Sequence, residues 1–218
     1  DFKLVSKCTI AMPDEQGTWV GRSRLAAQAD AWIVVYLRSP SHSMRAEGER
    51  RLCIRFSDNE GRTWSPENRT PKGQWVQGFP RAHVAGAIQD ESDLITAPNG
   101  DLLWIVRETI PAETYGPDDQ FPGTFQYRST DNGRTWKDEG MIIEDKRPGL
   151  DYCVVGSAIY MTILNAGHGS PENMFPLLYR SDNNGASWRH LRLDAWDVRD
   201  TGYGSLLVRE NGDIVYVA

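Results

Sequence analysis

Glu91 and Arg107 stand 16 residues apart, at the two ends of the stretch "ESDLITAPNGDLLWIVR". The pair Asn99-Gly100 lies between them and predicts a tight turn joining two strands, because Asn-Gly is the strongest short hairpin signal. Both ends of such a hairpin meet at one edge of a sheet. A guanidinium binds carboxylates through paired hydrogen bonds and a carboxylate can accept a proton, so this edge is a candidate site for anion binding or acid–base chemistry. The alternative is that both charged groups are solvated surface residues.

The cysteines and histidines show no comparable pattern. The three cysteines are widely spaced and form no C-x-x-C motif: Cys8, Cys53 and Cys153. One disulfide would leave at least one free thiol, and buried cysteines commonly act as small hydrophobic residues. The four histidines are scattered without metal-ligand spacing: His42, His83, His168 and His190. We therefore expect neither a metal site nor a cofactor.

The composition describes a chain that can fold around a core. Of its 218 residues, 39% are hydrophobic and 25% are charged, which excludes a disordered chain by composition. The net charge of −6 argues against a nucleic-acid partner, although a local basic pocket for an anionic ligand is compatible with it. The longest apolar run, residues 31–37, is too short to span a bilayer. The chain starts at Asp1 without a signal segment, so we expect a processed or fragmentary product and favour an extracytoplasmic or secreted location.

An eight-residue phrase occurs three times in the chain. It reads "SDNEGRTW" at 57–64, "STDNGRTW" at 129–136 and "SDNNGASW" at 181–188. Asp and Asn side chains fold a turn by accepting backbone hydrogen bonds, and Gly supplies the left-handed backbone that the turn needs. Thr and Trp favour the strand that follows, and a strand-like run precedes each phrase. Each octet is therefore predicted to be a hairpin turn with a strand on either side.

A second hairpin pattern repeats with the octets. "LITAPNGDLLWIVRE" (94–108) and "LLVRENGDIVYVA" (206–218) both have strand, Asn-Gly-Asp turn and strand. Residues 24–38 and 153–164 look like degenerate copies. The glycines of successive octets are 72 and 52 residues apart. Short strands repeating at this distance are typical of propeller blades, each made of an early hairpin, a loop and a late hairpin that carries the octet.

These octets resemble the Asp-box, or BNR repeat, of sialidases and related six-bladed propellers. The resemblance covers nearly the whole chain and implies an all-β, sialidase-like propeller domain over residues 1–218, with about three blades and the start of a fourth. It also implies that the octets are structural turns away from the substrate. Six blades of roughly 50 residues need about 300 residues. We therefore expect a fragment, although self-association, a partner, or pairing of "FKLVSKCTI" with the last hairpin would also complete the ring.

The resemblance implies a set of substrate-binding residues. Sialidases hold the carboxylate of sialic acid with three arginines at the propeller centre. Arg38, in "VYLRS", and Arg107 resemble two of them. Arg24 is a poorer match because Ile-Pro does not follow it, and the third arginine has no clear counterpart. His42, in "RSPSH", resembles a position in sialidase-like proteins, and Asp93 is a further candidate in the segment of the second blade.

The resemblance also implies catalytic residues. The family uses a Tyr nucleophile that a Glu activates, and an Asp as acid/base. Tyr203, in "TGYGSLLVRENGDIVYV", resembles the nucleophile and Glu91 its activating carboxylate. No Asp stands between Arg38 and the first octet, so Glu47 is the nearest candidate for the acid/base.

Two functional classes follow from this set of residues. The first is a sialidase-like exo-glycoside hydrolase that releases a terminal, anionic sugar from glycans, or a fragment of such an enzyme. The second is a non-catalytic Asp-box propeller that binds carbohydrate or protein, which the missing acid/base Asp and third arginine favour. A hydrolase of the same fold with another sugar or a lyase-type substrate is a third hypothesis, because fold does not determine function.

Overall fold

The computed structural model describes residues 9–11, 19–28, 31–39, 51–79, 88–109, 123–144, 147–166, 174–191 and 205–217. Within these ranges the secondary structure consists of antiparallel strands, and no helix there is long and apolar enough to cross a membrane. The strands are β1 (Trp19–Ala27), β2 (Trp32–Ser39), β3 (Arg51–Ser57), β4 (Ile88–Thr96), β5 (Leu102–Thr109), β6 (Gly123–Ser129), β7 (Lys137–Glu144), β8 (Arg147–Val155), β9 (Ala158–Ala166), β10 (Met174–Ser181), β11 (Arg189–Leu191), β12 (Ser205–Val208) and β13 (Ile214–Val217).

The strands form successive up-and-down sheets, one for each sequence repeat. Blade 1 is β1-β2-β3, blade 2 is β4 to β7, blade 3 is β8 to β11, and β12-β13 is the first hairpin of blade 4. The first strands of neighbouring blades touch in order, β1 with β4, β4 with β8 and β8 with β12. These four strands therefore line a common axis. The all-β propeller that the sequence predicts is confirmed.

The core lies between the blades. In β2 the side chains alternate, so that Ile33 and Val35 face blade 2 while Val34 and Tyr36 face the opposite side. The space between blades 1 and 2 holds the largest aromatic side chains, with Trp104 and Trp136 packed edge to face at 6.0 Å between ring centroids. Each buried aliphatic side chain contributes about 1.5–3 kcal/mol, so these interblade layers hold neighbouring blades together.

The second octet shows how the repeated turn is built. Ser129 Oγ accepts the N–H of Gly133 at 2.8 Å, and Asp131 Oδ1 accepts the N–H of Thr135 at 2.8 Å. Gly133 has a φ of 79°, which only glycine adopts without strain. Trp136 Nε1 donates to the carbonyl of Gly133 at 2.9 Å. As predicted, Asp131 accepts hydrogen bonds within its own turn, and the octet is a structural element.

Two octets also dock on the blade that precedes them. A Cβ added at Gly133 would lie 3.2 Å from Phe56 of blade 1. A Cβ at Gly185, in the third octet, would overlap with Leu103 of blade 2. Trp188 of the third octet differs from Trp136 of the second, which bonds within its own turn. The indole of Trp188 donates to Gln126 of blade 2 at 3.0 Å. Glycine is therefore required in these turns for close packing as well as for backbone conformation.

The prediction of a strand after every octet is wrong for the first one. β7 and β11 follow the second and third octets, but residues 65–79 form turns and two isolated bridges. The side-chain oxygens of Ser65 and Asn68 accept hydrogen bonds from β3 that the backbone carbonyls of a neighbouring strand would otherwise accept. Ser65 Oγ accepts the N–H of Phe56 at 3.1 Å, and Asn68 Oδ1 accepts the N–H of Ile54 at 3.0 Å. Pro66 lies between them and has no N–H to donate to a ladder. This segment, residues 65–68, therefore covers the edge of β3.

Candidate functional site

Three charged residues occupy the same register position on the first strands of blades 1 to 3. Arg24 pairs with Val35 of β2, and Asp93 pairs with Ile105 of β5. Asp151 pairs with Thr162 of β9 in the same way. On the second strand of each blade, the residue that pairs with the octet's serine is Trp32, Leu102 or Ile159. The partner of the charged residue comes three positions later on the same strand in every blade. The three charged residues therefore stand at one height around the axis. We call Arg24, Asp93 and Asp151 the axial cluster.

Each of these strands has an irregularity just before the axial cluster. The regular pairing is interrupted just before Arg24, just before Ser92 and just before Asp151. β1 and β4 each gain one residue without a partner, which reverses the alternation of side chains, whereas β8 gains two, which does not. From each irregularity to the hairpin turn the pairing is regular, so the three charged residues occupy equivalent positions relative to the turn.

Arg24 and Asp93 join blades 1 and 2 through an ion pair. Arg24 Nε lies 3.1 Å from Asp93 Oδ1, and the side chains are 41% and 13% exposed. The N–H of Leu94 donates to the same oxygen at 2.8 Å. Burial raises the pKa of Asp93 to about 6, with a smaller contribution from Asp151, against the opposing effects of Arg24 and Leu94. Asp93 can therefore hold or release a proton close to neutral pH.

Asp151 connects the axial cluster to blade 4, and its neighbour Tyr152 packs beside it in blade 3. Asp151 Oδ2 accepts the N–H of Leu206, on the first strand of blade 4. Tyr152 packs edge to face against Trp188, and within the described part of the chain its buried hydroxyl has no hydrogen-bond partner. Burial and the nearby carboxylates of Asp93 and Asp151 raise the pKa of Tyr152 well above its ordinary value. Two carboxyl groups, a guanidinium and a phenol thus share one region.

Arg38 belongs to a second charged group, on the face of blade 1 opposite blade 2. Its guanidinium forms an ion pair with Glu67, and Arg55 Nη2 lies 3.5 Å from the same carboxylate oxygen. The Tyr36 hydroxyl also donates to Glu67, at 2.7 Å. Although burial raises the pKa of Glu67, hydrogen bonds from Arg38 and Tyr36 lower it below its ordinary value. Glu67 therefore neutralises Arg38 within the protein.

Arg107 lies apart from Arg38. It is buried near the end of β5. It lies on the same face of the strand as Leu103 and Ile105, which pack against residues of blade 3. By strand alternation its side chain leaves the sheet on the blade 3 side, whereas Arg38 leaves blade 1 on the side away from blade 2. The structure therefore does not bring these two arginines into one interblade space.

Four of the predicted site residues cannot be placed by their side chains. Glu91 lies in β4, and at this position the structure describes the backbone but not the side chain. The others lie outside the described residues: His42, Glu47 and Tyr203. Of the eight predicted residues, the structure brings together Arg24 and Asp93.

A metal ion has no evident binding site in this arrangement. Across the described ranges, no group of three or more His, Cys, Asp or Glu side chains is placed to hold one. Cys53 and Cys153 are buried and form no disulfide with each other.

The comparisons with known proteins agree with the fold. Residues 127–138 match the BNR/Asp-box repeat. They contain the second octet, and with the structural likenesses below they confirm the resemblance to sialidase-like Asp-box propellers. A search of curated protein sequences finds no match.

Solved structures similar to this chain include several propellers. A protein of unknown function from Dyadobacter fermentans matches with 15% identity and a TM-score of 0.67, over 93% of this chain and 62% of that one. The α-L-arabinofuranosidase from Lactobacillus brevis matches with 13% identity and a TM-score of 0.53, over 90% and 64%. The Trypanosoma rangeli sialidase matches with 14% identity and a TM-score of 0.57, over 92% and 34%. This chain thus spans less than two thirds of each structure, and at these identities the likeness is one of fold.

Sequence reasoning missed three residues of these groups. Aligning the Asp-box octets and counting back to the first strand of each blade would have found Asp151 and, beside it, Tyr152. Glu67 has no such signal. It reaches Arg38 because the segment 65–68 covers the edge of β3, which is visible only in the fold.

Proposed function

We propose that this Asp-box propeller is an exo-acting glycoside hydrolase whose reaction takes place at the axial cluster. The observation that carries the proposal is the environment of Asp93, which is buried beside Arg24 and has its pKa raised to about 6. A carboxylic acid that titrates near the working pH is suited to general acid catalysis, because it is partly protonated and can recover its proton.

The reaction assigned here needs two carboxyl groups. Asp93 donates its proton to the oxygen of the scissile glycosidic bond, which leaves with the departing group. Asp151, at the equivalent position of blade 3, is the second carboxyl group and accepts a proton from the water whose oxygen bonds to the sugar carbon. Arg24 stabilises the Asp93 carboxylate after the proton has left. This assignment uses side chains of three successive blades that stand at one height around the axis.

The similar structures support a hydrolase. Two of them carry names that describe the release of sugars, an arabinofuranosidase and a sialidase. The residues that the family resemblance implies also remain proposals: Tyr203, Glu91 and Glu47 for catalysis, and Arg24, Arg38, His42, Asp93 and Arg107 for substrate binding. In the sequence, Tyr203 comes two residues before β12, the first strand of blade 4, and the backbone of β12 bonds to Asp151.

A non-catalytic glycan-binding propeller is the second candidate. The observation that favours it is that the same charged groups tie blades together. The Arg24–Asp93 pair joins blades 1 and 2, and Asp151 holds the N–H of Leu206 in blade 4. Groups with these contacts would be needed for folding whether or not the protein is an enzyme.

Hydrolysis of a panel of fluorogenic aryl glycosides between pH 4 and 8 tests the proposal. Asp93→Asn keeps the shape of the side chain and removes the proton, so we expect kcat to fall by about 10²–10⁴-fold. The activity of the unmodified chain should decline above about pH 6, as Asp93 loses its proton. Asp58→Asn, in the exposed part of the first octet, is the matched control and should leave the rate unchanged. Full activity in a folded Asp93→Asn variant would exclude Asp93 as the acid.

A further inference from the structure

We infer that the sugar bound at the axial cluster is uncharged, which rests on the proposed function and departs from the anionic sugar that the sialidase resemblance implies. A site for sialic acid needs guanidinium groups that are available to a substrate carboxylate. Two of the three arginines predicted for that role, Arg24 and Arg38, are engaged by carboxylates of the protein itself.

Arg24 is held by Asp93. A substrate carboxylate that took over the Nε–H of Arg24 would have to displace Asp93, whose side chain is only 13% exposed and whose second hydrogen bond is to the N–H of Leu94. While Asp93 is ionised, displacement would leave its carboxylate buried beside the substrate without its counter-ion. The protein carboxylate and an anionic substrate therefore compete for one guanidinium.

Arg38 is held more firmly than Arg24. Glu67 receives hydrogen bonds from Arg38 and from the Tyr36 hydroxyl, and Arg55 lies beside the same oxygen. Glu67 itself is fixed by its neighbour Asn68, which bonds to β3 through both its backbone N–H and its side chain. A ligand carboxylate would have to displace Glu67 to bind Arg38.

The charge of the axial cluster also favours an uncharged sugar. One guanidinium, that of Arg24, stands against the two carboxyl groups of Asp93 and Asp151 at equivalent positions. A substrate carboxylate would meet more acidic than basic groups there. Sugar hydroxyls, by contrast, donate hydrogen bonds to carboxylates and accept them from a guanidinium, so an uncharged glycoside suits all three side chains.

Matched pairs of substrates that differ by one carboxylate test this inference on the full chain. We would compare aryl β-D-glucosides with β-D-glucuronides and aryl galactosides with galacturonides. Aryl arabinofuranosides, xylosides and a sialoside would be assayed beside these pairs. The expected result is a kcat/KM at least about 10²-fold higher for the uncharged member of any pair that is cleaved. Preferred cleavage of the sialoside or of a uronide would overturn the inference and leave the proposed hydrolase in place.

A binding measurement keeps the inference testable if no substrate is cleaved. Calorimetry with lactose and with sialyllactose compares two glycans that differ by the sialic acid. Tighter binding of lactose supports an uncharged ligand even if the hydrolase proposal fails, whereas tighter binding of sialyllactose, or no binding of either, overturns it. Asp93→Asn should raise the affinity for sialyllactose about tenfold, because Arg24 then becomes available, and Asp58→Asn should leave both affinities unchanged. An unaltered sialyllactose affinity in a folded Asp93→Asn variant would contradict the competition between Asp93 and the ligand.

Discussion

Replacing Asp93 by asparagine should change how the stability of the protein depends on pH. The pKa of Asp93 is about 6 in the folded chain, against 3.8 for an ordinary aspartate. Because the folded pKa is the higher one, the folded state binds the proton more tightly, and its stability falls as pH rises from about 4 to about 6. Below this window Asp93 is protonated in both states, and above it the full cost of ionising a buried carboxyl group is present.

The magnitude follows from the two pKa values. Each pH unit between them corresponds to about 1.36 kcal/mol, so the cost above pH 6 is roughly 3 kcal/mol. Asparagine carries no proton to lose and has nearly the same shape. The free energy of unfolding of Asp93→Asn, relative to the unmodified protein, should therefore increase by about 2–3 kcal/mol between pH 4 and pH 7.

Urea unfolding at half-unit steps from pH 4 to pH 7.5 measures this difference. Other carboxyl groups titrate in the same range, but they are common to both proteins and cancel in the comparison. Asp58→Asn, which removes an exposed carboxylate, is the control for the loss of a negative charge. A flat difference for Asp93→Asn would refute the raised pKa, and a difference of opposite slope would show that Arg24 stabilises the carboxylate more than burial destabilises it.

Two further predictions concern the Asp-box turns. Asp131→Ala should lower the free energy of unfolding by about 1–2 kcal/mol at pH 7, because both the backbone and the hydroxyl of Thr135 lose their acceptor, and glycan affinity measured by calorimetry should not change. Gly185→Ala should be more destabilising than Gly73→Ala by at least about 1–3 kcal/mol in urea unfolding. Both glycines have a positive φ, but only the Cβ at Gly185 would overlap with Leu103. Equal losses for the two would show that backbone strain alone sets the cost.

The sequence predicts the blades well because their signals are local. A turn such as Asn99-Gly100, or an octet such as 129–136, encodes its own backbone shape within a few residues. The axial cluster depends on pairing between blades and on bulges. The bulge before Arg24 adds one residue and reverses the face that simple alternation would assign, whereas the irregularity before Asp151 adds two and does not. Such shifts are set by the packing of whole sheets and have no signature in a short stretch.

The failure at the first octet has a related cause. The residues after it contain two prolines and polar side chains, which indicates a loop but not what the loop contacts. Ser65 and Asn68 imitate strand backbone with their side chains, and they bring Glu67 to Arg38 from a distant part of the chain. Sequence reasoning chose Glu47 for this blade because it is the nearest carboxylate along the chain. Proximity in the fold depends here on hydrogen bonds that do not follow sequence distance.

The docking of the second and third octets on the preceding blades gives the array a direction. The turn of blade 2 rests on blade 1 through Gly133, and the turn of blade 3 rests on blade 2 through Gly185 and Trp188. A blade synthesised later therefore meets a surface that already exists, while an earlier blade does not wait for a later one to seat its own turn. Folding during synthesis can then proceed one blade at a time from the N-terminal end, with each finished blade serving as a template for the next. Loss of blade 1 would remove the support for blade 2, whereas loss of blade 4 would leave all three octets in place.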